Sequence, residues 1–164
     1  MEFKEYIELM KRRLMNNFDL TVPYEHAGYS IDMFAESHIR TERYFAMKKM
    51  KVYGMENDEF CFVKYFDMLT EDIVDAYIEM LVGSIDEMVK LRDDHMSTTI
   101  TGVIATDSID DKNLENRIKR FRHQKSYLFG IKGWVDVRLI MVDLKGERVV
   151  ASKKAVKVEN FYRP

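Results

Sequence analysis

Alternation along Trp134-Val135-Asp136-Val137-Arg138 places an aromatic ring, an acid and a base on one face of the strand that carries them. Such a trio makes either a polar pocket or a buried ion pair. A second grouping is electrostatic. Arg117, Lys119, Arg120, Arg122, His123 and Lys125 crowd one segment, and Lys48-Lys49-x-Lys51, Lys153-Lys154 and Lys157 add positive charge elsewhere. If Arg117, Arg120, Arg122 and Lys125 converge, they would hold a nucleic-acid phosphate backbone without reading bases, and that binding would fall steeply with salt. Asp110, Asp111 and Glu115 share the segment, so a solvated helix face accounts for the same pattern. A third grouping is apolar. The chain has 10 Phe, 9 Tyr and 12 Met, and Tyr44, Tyr53, Tyr65 and Tyr127 stand beside polar residues in strand-like runs. Aromatic residues and Met are enriched in protein interfaces, although core packing covers most of them equally well.

Other chemistries lack their residues. There is no glycine-rich phosphate loop, no G-x-G-x-x-G, no C-x-x-C and no His-Glu-x-x-His. His26, His38, His95 and His123 are scattered without metal-ligand spacing, and Ser97 and Ser108 lack a nucleophile-elbow context. The single cysteine, Cys61, lies within Phe60-Cys61-Phe62-Val63 and reads as a buried small hydrophobe. It permits no intramolecular disulfide, which fits a reducing, cytoplasmic compartment. A formal charge of -2 excludes a polycation that coats nucleic acid. No run approaches the ~20 apolar residues of a membrane span, and the charged N-terminal segment is not of signal-peptide type. A length of 164 residues implies one domain, 1–164, able to bury a core without disulfides or metal.

These groups depend on the elements that carry them. Phe3, Tyr6, Ile7, Met10, Leu14 and Phe18 have helical spacing, which predicts a helix over about 3–17. Asp19–Gly28 reads as a connector. Three strands follow as a meander: Tyr29–Ile39, Arg43–Tyr53 and Glu59–Phe66, with Gly54–Glu59 polar enough for a hairpin loop. Thr70 caps a second helix that ends near 91–95, its acids Glu71 and Asp72 in the first turn. Thr98–Thr106 is β-branched and predicts a buried strand, with Gly102 marking a close approach by a neighbour. Ser108 to Asp111 has capping-box spacing ahead of a helix of about 14 residues, and the next strand completes a right-handed βαβ crossover. Ser126–Ile131, Trp134–Asp143 and Arg148–Ser152 read as strands, and Ala155–Pro164 as an edge strand or loose tail. The result is an α/β (α+β) fold, order α-β-β-β-α-β-α-β-β, with a mixed sheet.

Two resemblances add to this. The runs Glu42-Arg43-Tyr44-Phe45, His95-Met96-Ser97-Thr98 and Lys132-Gly133-Trp134-Val135-Asp136-Val137-Arg138 are similar to an uncharacterised prokaryotic family of unknown function, which implies no activity. The order α-β-β-β-α-β over Phe3–Asp107 resembles the core of the PD-(D/E)XK nuclease-like superfamily. That resemblance implies an Asp on the second core strand and an acid-x-Lys on the third, holding a divalent metal that activates water. Asp32 and Lys64 match the first acid and the lysine. Phe62 stands where the second acid belongs, so Glu36 or Glu59 would have to replace it, and Asp32 falls on the first predicted strand rather than the second. Without the metal reading, Asp32 faces solvent, Lys64 snorkels to water, or the two form a cross-strand ion pair. The sequence thus supports a non-enzymatic α/β domain that binds a protein partner or itself and needs no cofactor. The alternative is a nuclease-like or phosphate-binding protein, with a divalent metal only in that case.

Overall fold

The computed structural model describes residues 1–42, 54–89, 95–131 and 133–164. Helix α1 (Phe3–Leu14) forms where the apolar spacing predicts it and buries Tyr6, Ile7, Met10 and Leu14. Burying each such side chain is worth about 1.5–3 kcal/mol. The segment read as a connector instead carries two short strands, β1 (Asp19–Thr21) and β2 (Tyr24–His26). The first predicted strand divides at Asp32. Tyr29–Ile31 (β3) pairs with β2 in a separate hairpin, and Met33–Glu42 (β4) enters the main sheet. The division has a cause in the neighbouring strand. The Asp32 carboxylate accepts the Tyr65 amide at 2.7 Å, and the Asp32 amide donates to the Val63 carbonyl at 3.0 Å, which pins a bend there.

Strand β5 (Gly54–Tyr65) starts earlier than its polarity suggests. Gly54–Glu59, predicted as a loop, pairs with β4 throughout. The predicted strand Arg43–Tyr53, with Lys48, Lys49 and Lys51, lies outside the described residues. Helix α2 (Glu71–Gly83) is capped by the Thr70 hydroxyl, as predicted, but stops at Ser84, and a short α3 (Ile85–Met88) follows. Strand β6 is His95–Thr106. Helix α4 (Lys112–Arg120) is shorter than expected, and its cap is Asp111 rather than Ser108, with the Asp111 carboxylate accepting from Asn113 N–H at 2.7 Å. Ser108 instead donates to Asp110.

Strands β7 (His123–Ser126), β8 (Trp134–Asp143) and β9 (Arg148–Ala151) complete a mixed seven-stranded sheet in the order β1-β4-β5-β6-β8-β7, with β9 also on β8. β5, β6 and β8 run parallel. The strand that follows α4 in sequence, β7, is antiparallel to β8 at the edge, so the crossover from β6 is completed by β8. The C-terminal segment is not a loose tail. Ala155 and Tyr162 are buried, and a turn at Glu159–Tyr162 packs beside α1.

Both sheet faces carry core. Phe62, Ile100, Ile104 and Leu139 pack under α2 and α4, while Met33, Val63, Val103 and Ile140 pack under α1. A Cβ on Gly102 would overlap the Leu81 Cδ1 methyl, which explains a glycine inside β6. No helix among the described residues is long and apolar enough to cross a membrane.

Candidate functional site

The strand registers define rows across the α1 face of the sheet. Under the helix the row is Met33, Val63, Val103, Ile140, Ala151, and all of these are buried. About 7 Å further along the strands the row is Ala35, Cys61, Thr101, Arg138. The next is Ser37, Glu59, Thr99, Asp136, Gln124, and then Asn57, Ser97, Trp134, Ser126. Helix α1 is about 18 Å long, and beyond its end Phe18, Val158 and Phe161 lie beside Glu59 and Arg138.

Sequence alternation therefore correctly places Trp134, Asp136 and Arg138 on one face, each partly exposed. Asp136 and Arg138 do not pair with each other. Arg138 donates through Nε to Thr101 Oγ1 at 2.7 Å and through Nη2 to Glu59 Oε1 at 2.8 Å. Asp136 takes Lys154, with Nζ to Oδ1 at 3.0 Å. Beside Arg138, Cys61 is fully buried, which pushes its thiol up to about 12 and leaves it without nucleophilic character at neutral pH.

The turn from β7 to β8 is the largest departure from expectation. Ser126–Ile131 reads as a strand in sequence, yet the ladder stops at Ser126, which pairs with Trp134. Leu128, Phe129 and Gly130 then take positive φ in succession, at 46°, 54° and 86°. Backbone hydrogen bonds hold the turn: Gly130 N–H to Tyr127 O, Ile131 N–H to Leu128 O, and Tyr127 N–H to Gly133 O. The side chains gain nothing from this. Leu128 is 62%, Phe129 103% and Ile131 82% exposed. Gly130 and Gly133 are residues that permit a tight turn, but nothing local marks Leu128 and Phe129 as left-handed.

Some of the described basic residues already hold carboxylates. Arg117 donates to Asp75 Oδ1 through Nε and Nη2 at 3.0 and 2.8 Å. Lys119 pairs with Glu115 at 3.2 Å, and Lys125 pairs with Asp86 while its ammonium lies over the Tyr127 ring. Arg120 and Arg122 are exposed. Two of the four residues proposed for a phosphate track thus already hold carboxylates.

Asp32 and Lys64 do meet, with Oδ2 to Nζ at 3.5 Å. The strand run β1-β4-β5-β6 places Asp32 immediately before the second of those strands. Phe62, where a second acid would be needed, is fully buried against Phe34, with ring centroids 4.9 Å apart. Glu36 turns toward His38 at 3.6 Å and Glu59 toward Arg138, so neither joins Asp32. Next to this pair, Tyr65 donates its hydroxyl to Asp107 at 2.8 Å, and Lys145 donates to the other Asp107 oxygen at 2.8 Å. The Lys145 and Tyr65 hydrogen bonds hold the Asp107 carboxyl below its ordinary range, and the bond to Asp107 pushes the Tyr65 phenol up to about 12. These groups tie strand ends together. Among the described histidines, His38 bonds Asp58 at 2.6 Å, and buried His26 lies 3.7 Å from Glu87. No group of three or more His, Cys, Asp or Glu that could hold a metal occurs among the described residues.

No curated protein and no solved structure matches the chain. A family model described as a domain of unknown function, DUF8052, matches residues 2–164. The chain belongs to that family.

Proposed function

We propose that this is a non-enzymatic docking domain that associates with a second copy of itself through the Leu128–Ile131 turn. The observation that carries this is the combination of strain and exposure at Leu128 and Phe129. Left-handed backbone costs a non-glycine residue about 1–2 kcal/mol, and exposed apolar surface returns none of it. Strained residues persist where function requires them. The turn rises from β7, the edge strand of the sheet order, so backbone pairing and apolar contact are available in one corner of the fold. A two-fold dimer would use the same patch on both copies. A buried thiol that can form no internal disulfide suits a reducing compartment, and we place the protein in the cytoplasm.

Sedimentation equilibrium over a wide concentration range tests the reading, with Phe129→Ser as the variant. The expected result is a concentration-dependent dimer that the substitution disperses without changing the fold. Equal association by the variant would remove the turn from the interface. A wild-type chain that stays monomeric would turn the search toward a different protein partner.

A further inference from the structure

We propose that the cavity between α1 and the C-terminal segment binds a small monocarboxylate with an apolar body. The cavity measures about 270 Å³. This lies just below the roughly 300–1,000 Å³ of sites for drug-sized ligands, so it suits a short acyl chain or a single ring. Leu14, Phe18, Val158 and Phe161 supply apolar wall. The charged lining is Arg138, Lys157 and Glu59, two cations and one carboxylate, so one negative charge brings the site to neutrality.

The cations occupy different depths. Arg138 is only 14% exposed, and its orientation is fixed by Thr101 and Glu59. Those bonds use Nε and one Nη2 hydrogen, and a guanidinium has five N–H donors in a fork that matches a carboxylate. Lys157 is exposed at the mouth, where an ammonium on a flexible stem can close over a bound anion. A free amine would meet two like charges. A dianion would be over-compensated and would face Glu59. Conversion of the partly buried Arg–Glu pair into an Arg–Glu–ligand arrangement needs no new charge on the protein, only the ligand's own.

The cavity is separate from the Leu128–Ile131 turn, so the two proposals fail independently. The test is titration of the full chain with octanoate, octanamide and octylamine at low salt, by calorimetry and by amide chemical shifts. Octanoate should bind and move the amides of Val158, Phe161 and Tyr162. Octanamide should bind on the order of tenfold or more weakly, the ratio of a charge-assisted to a neutral contact. Octylamine should not bind. Lys157→Gln, at an exposed position, should weaken octanoate roughly threefold and leave octanamide unchanged, while Phe161→Ala should weaken both. Octanamide binding as tightly as octanoate would overturn the proposal. So would amide shifts confined to other regions, no octanoate binding by the folded chain, or octanoate affinity indifferent to Lys157→Gln.

Discussion

Replacing Phe129 with glycine should make the protein more stable while removing its proposed contact. Phe129 has φ 54°, ψ 32° and is fully exposed, so the substitution removes no buried surface. Relief of left-handed strain is worth about 1–2 kcal/mol. Against it stands the extra freedom glycine gives the unfolded chain, about 0.4–1 kcal/mol. The net is a stabilisation of about 0–1.6 kcal/mol, centred near 0.8, or a rise in Tm of about 2–3 °C at the centre for a chain of this size. Ile131 supplies the internal control. It is 82% exposed, but its backbone is right-handed, with φ −66° and ψ −35°. Glycine there relieves nothing and should cost about 0.5–1 kcal/mol. Thermal and urea unfolding of the two variants should therefore move in opposite directions. If both variants lose stability, or if Phe129→Gly loses more than Ile131→Gly, the left-handed turn does not store the strain assigned to it, and the inference from strain to function falls with it.

Gly102→Ala should destabilise by about 1–3 kcal/mol through overpacking against Leu81, and buried Leu81→Ala should cost less in that background than alone; a neutral urea midpoint for Gly102→Ala would show that the helix seat has slack. Asp32→Ala should cost about 1–3 kcal/mol because it orphans the Tyr65 amide, whereas Lys64→Met should stay within about 1 kcal/mol; equal losses in denaturant unfolding would mean that the ion pair, not the amide bond, matters. Glu115 is held below its ordinary value of 4.5, first by the Arg148 hydrogen bond, so its contribution is complete above pH 4.5 and fades as pH falls through the lowered folded value. Glu115→Gln should then lower stability at neutral pH and flatten the acid limb below 4.5, and an unchanged limb would sink the assignment. Arg148→Lys should behave as a loss rather than a conservative change, since one guanidinium serves Glu115, Asp143 and the Ile109 carbonyl; wild-type stability in that variant would argue against the shared fork.

What could be read from sequence was what repeats locally. Tyr6, Met10 and Leu14 recur at helical spacing, and the alternation through Trp134, Asp136 and Arg138 gives the correct face of β8. Partners were not legible, because they come from distant strands. Glu59 reaches Arg138 across β6, and Lys154 reaches Asp136 from beyond β9. The break at Asp32 depends on an amide donated by Tyr65, a contact that no window around Asp32 contains. Gly54–Glu59 looks like a loop because loops and uncovered sheet faces draw on the same polar residues. Its strand character comes from ladders on both sides, to β4 and β6. The left-handed turn was missed because Leu128 and Phe129 have β-like propensity, and backbone geometry overrides it.

The seat of α1 has consequences for synthesis. Its helix packs on Ile140 and Val142 from β8, and Tyr6 donates its hydroxyl to the Tyr162 carbonyl at 2.9 Å. Arg13 bonds the carbonyls of Phe161 and Arg163 at 2.7 and 2.6 Å. Helix α1 leaves the ribosome ahead of every strand it packs on, so it has no complete partner until β8, β9 and the Tyr162 segment have followed it. Through most of translation its apolar stripe is uncovered, a natural target for chaperones that hold amphipathic helices. A nascent chain that has emerged only as far as β6 would expose that stripe, and one from which Tyr162 has also emerged would bury it.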